Sequence, residues 1–411
     1  MRVLSTVTGS QGHARAVLPL VRALAAAGHE VVVALPPHLA EVYADSGARV
    51  EPVLPDFIAA MQEMRQLRDN LENMAPSLLG PNGEVDERAQ LIGFAGGPQV
   101  ASAYRAVLPL AEEFGPDLVL RDGGELSGCL IAEKLGIPHI SAPSGAGNLI
   151  DPAGLLPLLN QRREELGLPV QDDKWSIYAH GRIDCMPEGY AFNAFESPEP
   201  FRYSQPMLTD GVGGLPPEFA ELSGDKPLIL ASVGTSLPVV MGMQLMGIEL
   251  PDGMMDPADT LRAIVGGLSA LDCHGIVSSG GLPVEDLNPG PNVHVVDWVP
   301  QPLLLQCAQV FLTHAGYNGI REGIKAGVPM ATLPQYADEP HNAVRIGELG
   351  LGAPIEDVTP EGIAAVCERL LTDEKIIANV RTAHRRMLGL PGVDAAVAHL
   401  ERLAGHERAE A

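Results

Sequence analysis

Short apolar runs alternate with segments of helical periodicity along most of this chain. Val3 to Val7 reads as a buried strand, Thr8 to Gly12 as a loop, and the following stretch to Ala27 as a helix stopped at Gly28; Glu30 to Leu35 is the next strand. An apolar run bounded by turn residues suits a strand covered on both faces, and strand–helix–strand order implies a parallel sheet with helices on both sides. Leu118 to Leu120 and His139 to Ala142 continue the pattern. Ser197 to Lys226 then collects Pro198, Pro200, Pro206, Pro216, Pro217 and several glycines, the punctuation of a connection between domains. Beyond it the alternation restarts, with strands at Leu228 to Val233, Gly275 to Ser278, Val293 to Val296, Val310 to Thr313 and Met330 to Leu333 and a helix around Asp259 to Leu271. Helical sequence from Pro360 to about Leu403 closes the chain. The predicted class is α/β.

Two stretches break the rhythm. Residues 55–99 carry Met61, Met64, Leu67, Leu71 and Met74 among charges, and read either as an insertion lining a site for an apolar ligand or as an amphipathic helix packed on its domain. Residues 237–257 carry Met241, Met243, Met246, Met254 and Met255, and suit either an adaptable apolar contact or a helix completing a core.

Composition narrows the functions. At 411 residues and 46% hydrophobic content, two well-filled domains are expected. A formal charge of −25 argues against a nucleic-acid partner and against an anionic bilayer. Cys129, Cys185, Cys273, Cys307 and Cys367 are scattered without a Cys-x-x-Cys pair, which suits reduced thiols and no metal cage. No signal-like start or membrane-length run is visible, so a soluble, cytoplasmic protein is expected.

The densest chemistry lies in Trp298-Val-Pro-Gln301, Phe311-Leu-Thr-His-Ala-Gly-Tyr-Asn-Gly-Ile-Arg-Glu322 and Ala337-Asp-Glu-Pro-His-Asn-Ala343. A strand, a small-residue turn and a helix opening near Asn318 would present free backbone N–H groups and the positive end of a helix dipole to a phosphate. His314 can add a hydrogen bond, Glu322 can accept from a ribose hydroxyl, and Trp298 offers a flat face to a nucleobase. Near the N-terminus, His13 falls in the loop after the first strand and Asp122 after the strand that begins near Leu118. Both are carboxyl ends of strands, so a His–Asp contact is topologically open; the carboxylate would fix the imidazole tautomer and stabilise its protonated form. Gly9-Ser-Gln-Gly12 lacks the third glycine of a dinucleotide fingerprint. The chain also has no Walker loop, no Gly-x-Ser-x-Gly elbow and no Asp-x-Asp suggestive of a metal-held diphosphate.

These segments resemble the donor signature of the nucleotide-sugar-dependent family 1 glycosyltransferases, in the bacterial branch acting on polyketides, macrolides and related aglycones. The resemblance extends through Gly9-Ser-Gln-Gly-His13, Pro116-Asp-Leu-Val-Leu-Arg-Asp122, Glu196-Ser-Pro-Glu-Pro-Phe201 and Ser232-Val-Gly-Thr235. It implies the GT-B fold: two facing Rossmann-like domains, with acceptor domain 1–205, linker 206–226, donor domain 227–385 and a final segment 386–411 crossing back to the first domain. It further implies an inverting O-glycosyltransferase with His13 as base and Asp122 as its partner, needing no metal and no cofactor beyond the nucleotide-sugar co-substrate. Trp298, Val299 and Gln301 would hold base and ribose, and Glu322 the ribose hydroxyls. His314, Gly316, Tyr317, Asn318 and Gly319 would line the diphosphate with Thr235 opposite, and Asp338 and Glu339 would hold the sugar. Gly319 stands where many members carry Ser or Thr, and Glu339 where Gln is usual, exchanging a donor-and-acceptor amide for a carboxylate. The expected partners are the donor and an apolar small-molecule acceptor, with a homodimer left open. An idle donor-binding module serving a second transferase, and a GT-B-shaped nucleotide-sugar epimerase, are the competing readings.

Overall fold

The computed structural model describes residues 1–56, 87–208, 213–234 and 256–405. Thr235, residues 57–86 of the first Met-containing stretch and residues 237–255 of the second, with all the methionines named above, therefore lie outside the described residues. The chain divides into two compact units. The first comprises Met1–Cys185, Asn193–Pro206 and Pro391–Ala411, and the second Met186–Phe192 and Met207–Leu390.

The first unit is built on a five-stranded parallel sheet. Its strands are β1 (Arg2–Thr6), β2 (Glu30–Ala34), β3 (Arg49–Glu51), β4 (Leu118–Arg121) and β5 (His139–Ser141), in the order β3-β2-β1-β4-β5. Residues such as Val3, Leu4, Val33, Val119 and Leu120 are fully buried, as expected of strands covered on both faces. Helix Gln11–Ala26 follows β1 and presents Val17, Leu20, Val21 and Leu24 to the core. A two-stranded parallel pair, β6 (Ile183–Asp184) and β7 (Phe201–Arg202), adjoins the point where the chain leaves and re-enters this unit.

The second unit repeats the plan. Strands β8 (Leu228–Ser232), β9 (His274–Ser278), β10 (Val293–Val296), β11 (Val310–Thr313), β12 (Met330–Thr332) and β13 (Gly352–Pro354) form a parallel sheet ordered β10-β9-β8-β11-β12-β13. In both sheets the first strand of the unit lies centrally and the chain winds outward from it in one direction, then in the other. The carboxyl ends of β1 and β4, and of β8 and β11, are the places where this reversal opens a crevice between diverging loops.

Where sequence pattern suggested one long terminal helical region, three helices stand, Pro360–Thr372, Glu374–Leu388 and Val393–Leu403. Asp373, a side-chain N-cap for the second helix, and the Gly389 to Gly392 stretch containing Pro391 break it. Only the last helix belongs to the first unit. It buries Ala396, Val397 and Leu400, and its Glu401 accepts from Nε2 of His29 at 2.9 Å. A segment read by sequence as part of the first domain, Met186–Phe192, sits with the second unit. Its carbonyls hold it there: His341 Nε2 donates to Phe192 at 2.9 Å and Arg345 Nε to Ala191 at 3.1 Å.

His139 is 2% exposed on β5, and burial first, then Arg121 and His180, holds its pKa well below the usual 6.5. The unfolded chain protonates near that ordinary value and the folded chain does not, so below it the unfolded state binds more protons and stability is lost as the pH is lowered. Denaturant midpoints should therefore drop between pH 7.5 and pH 5, and the slope should be shallower in His139→Gln. Parallel slopes for the two proteins would remove His139 from the account.

Candidate active site

At the reversal point of the first sheet, Gly9 takes a left-handed φ of 83° and lets the chain turn from β1 into helix Gln11–Ala26. His13 sits in that helix's first turn. A Cβ on Gly9 would lie 3.0 Å from the His13 ring, so the imidazole packs directly over the glycine. His38 steadies the turn, its Nε2 donating to the Gly9 carbonyl at 3.1 Å. Buried Tyr43 donates to the Ala14 carbonyl at 2.8 Å and anchors the same helical turn.

Asp122 follows β4, whose register sets Arg121 beside Thr6 of β1. Its carboxylate is fully buried, and both oxygens lie 3.1 Å from Nδ1 of His13, across 109 residues of sequence. The Gly124 N–H also donates to Asp122 Oδ1 at 2.8 Å, leaving the carboxylate firmly placed. Arg121, itself 0% exposed, grips the loop from beneath: its guanidinium donates to the carbonyls of Asp122 and Gly123 at 3.1 Å and to that of Ile177. With Nδ1 turned to Asp122, the ring's second nitrogen, Nε2, points away from the carboxylate, and the side chain remains 24% exposed. Arg121, His38 and Tyr43 went unnoticed in the sequence because their partners are backbone carbonyls, which no residue pattern marks.

The second sheet's reversal point gathers most of the expected donor residues. His314 follows β11, with Nδ1 3.4 Å from the Ser232 carbonyl of β8. Its ring is wedged between two glycines: a Cβ would lie 2.7 Å from it at Gly234 and 2.4 Å from its Nε2 at Gly316. Burial lowers the His314 pKa, against the opposing pull of the Ser232 carbonyl and Asp338. Helix Tyr317–Ala326 opens immediately afterwards with Gly316 as N-cap and no side-chain cap, so its first N–H groups and dipole face this corner. Gln301 Nε2 donates to Glu322 Oε2 at 2.7 Å, joining two residues expected at the ribose. Trp298 is 49% exposed, a large indole face open to a planar ligand.

Four of the expected contact residues take a different form. Tyr317 is buried, its ring edge-on to Phe192 with centroids 6.3 Å apart, so its contribution is the backbone N–H; Val299 is likewise buried. At Gly319 an added Cβ would meet Thr313 Oγ1 at 3.3 Å and the Phe311 ring at 3.5 Å, so a side chain here starts toward β11. Glu339 is 5% exposed, and its Oε2 accepts from the Gln335 and Tyr336 N–H groups at 2.7 and 3.2 Å. Burial pushes its pKa up to about 8. In protonated form it pairs a donor with an acceptor as an amide does, which narrows the difference from glutamine. Asp338, beside it, accepts from Asn342 at 2.7 Å. Among the described residues, no helix is long and apolar enough to cross a membrane.

Comparison with known proteins gives this arrangement its class. Thymidine-diphosphate-complexed SsfS6, a glycosyltransferase from Streptomyces sp. SF2575, superimposes with a TM-score of 0.71 at 22% identity, over 98% of this chain and 99% of that one. The fold is that of the GT-B glycosyltransferases. The family model for UDP-glucoronosyl and UDP-glucosyl transferases matches residues 259–410, and that for the N-terminal domain of erythromycin biosynthesis protein CIII-like proteins matches 22–153. NDP-glycosyltransferase YjiC of Bacillus subtilis (strain 168) is 26% identical over 406 residues, 95% of this chain and 94% of its own. Aclacinomycin-T 2-deoxy-L-fucose transferase of Streptomyces galilaeus is 24% identical, over 99% of this chain and 97% of its own. Glycosyltransferase-family models thus match two stretches that together make up most of the chain, and it is a glycosyltransferase similar to the bacterial natural-product members of family 1.

The wedged imidazole yields a test. Gly316→Ala should push His314 aside and weaken thymidine diphosphate binding by about tenfold or more, the scale of one hydrogen bond to a charged group. Calorimetric titration decides it, and unchanged affinity in the folded variant would take His314 out of the diphosphate site.

Proposed function

We propose that this enzyme moves a sugar from a nucleoside diphosphate to a hydroxyl of an apolar small-molecule aglycone, with inversion at the anomeric carbon and without a metal ion. The observation that carries the reading is His13 Nδ1 at 3.1 Å from both oxygens of a fully buried Asp122. Nδ1–H donates to the carboxylate, so Nε2 carries the lone pair and serves as general base. It takes the acceptor's hydroxyl proton as that oxygen attacks the anomeric carbon; Asp122 stabilises the imidazolium that results. The bond from carbon to the diphosphate oxygen breaks on the opposite side, and the electron pair leaves with the nucleoside diphosphate.

The second unit would hold the donor, with Trp298 on the base and Gln301 with Glu322 on the ribose. The N–H groups opening helix Tyr317–Ala326 and His314 would sit on the diphosphate, and Asp338 and Glu339 on the sugar. Backbone N–H groups and a helix dipole stabilise developing phosphate charge, which supports metal independence. They also answer the overall charge of −25, which repels a nucleotide sugar at long range. The thymidine diphosphate bound in SsfS6 and the sugar transfer named for the aclacinomycin enzyme support donor and acceptor classes of this kind. Five free cysteines fit a reducing, cytoplasmic setting.

His13→Ala should lower turnover by about 10²–10⁴ while leaving nucleoside diphosphate affinity unchanged. Near-wild-type turnover in the folded variant would instead require a different base. Activity should also survive EDTA. Abolition by the chelator, with restoration by magnesium or manganese, would replace the helix-based account by a metal-based one.

A further inference from the structure

Among the described residues, two non-glycine positions have left-handed backbone, Ala315 at φ 66° and Ala337 at φ 56°. Alanine gains nothing locally from that conformation, so surrounding contacts must hold it. Each adjoins a residue of the donor site: Ala315 follows His314, and Ala337 precedes Asp338. One side chain reaches both loops. Asn342, 0% exposed on helix Glu339–Glu348, donates from Nδ2 to the Ala315 carbonyl at 3.0 Å and to Asp338 Oδ2 at 2.7 Å. Thr313 Oγ1 supports the first loop from its other side, accepting from the Ala315 N–H at 3.2 Å.

The amide is costly where it stands. Its Oδ1 is buried and accepts no hydrogen bond, which stability alone would not select at a fully buried position. What the amide supplies is a single nitrogen with two protons, one for each loop. We propose that Asn342 is a positioning residue that locks the His314 loop and Asp338 to each other, so that the diphosphate end and the sugar end of the donor site form as one unit. The inference rests on the donor-site reading above. Asn342 touches neither reacting group; it acts through the Ala315 carbonyl and the Asp338 carboxylate.

The test uses the full-length enzyme with thymidine diphosphate and thymidine-diphosphate glucose as probes, titrated calorimetrically against Asn342→Ala, Asp338→Ala and the double variant. Asn342→Ala should weaken thymidine diphosphate by about tenfold and the sugar nucleotide by more, since only the latter also depends on Asp338. In the Asp338→Ala background, the extra loss for the sugar nucleotide should vanish and leave only the loss seen with thymidine diphosphate. Asn342→Asp keeps the shape, sets a carboxylate against Asp338 and the Ala315 carbonyl, and should weaken both probes; it carries the test if the alanine variant does not fold. Unchanged affinities in the folded variants, or strictly additive effects of Asn342 and Asp338, would overturn the coupling. Trp298→Ala separates the two readings: if it also leaves thymidine diphosphate affinity unchanged, the donor-site assignment itself has failed.

Discussion

The contact between His13 and Asp122 depends on a constraint of parallel sheets rather than on either residue. β1 and β4 lie side by side, while their crossover connections run to opposite sides of the sheet, so the loops at their carboxyl ends diverge and leave polar side chains room to meet. Register then sets the depth: Thr6 of β1 pairs with Arg121 of β4, and Asp122 emerges one residue later, level with the first turn of the following helix. The second sheet reproduces the arrangement at β8 and β11, where His314 takes up the corresponding corner. The two proposed chemistries, proton removal and diphosphate binding, would thus use one geometric device.

Glycine serves both corners in the same way. At Gly9 and Gly234 the chain is left-handed with φ of 83°, and at each the missing Cβ is what lets an imidazole lie on the backbone. A histidine packed on backbone has few rotamers to choose from, so its nitrogens are aimed before any ligand arrives. Buried hydrogen bonding continues the effect outward, through Arg121 beneath the Asp122 loop and Asn342 beneath the two donor-side loops. These side chains share one property: they donate to backbone carbonyls of the loops proposed to carry the chemistry.

Much of this was legible in the residues themselves. Continuous apolar runs located strands such as β8 and β11, because a strand buried on both faces leaves no polar gap. The glycine and small-residue turn after β11, with Gln301 and Glu322 on either side, marked the corner proposed for the donor. It did so because a phosphate site needs free N–H groups at a helix start, and that requirement is local in sequence. The short edge strands β3 and β13 escaped notice, three residues being too few to show a period.

What the chain by itself determined is therefore its alternating elements, its paired sheets and the kinds of chemical groups at each strand end. Tertiary packing decided where those groups point. Tyr317 begins the helix proposed to face the phosphate, yet its ring turns inward because Phe192 arrives from a segment 125 residues earlier. Glu339 reads as an ionised sugar ligand, yet packing buries it against the Gln335 and Tyr336 N–H groups and raises its pKa to about 8. Backbone conformation follows from neighbours along the chain, whereas side-chain direction, desolvation and protonation follow from neighbours brought close only by the completed fold.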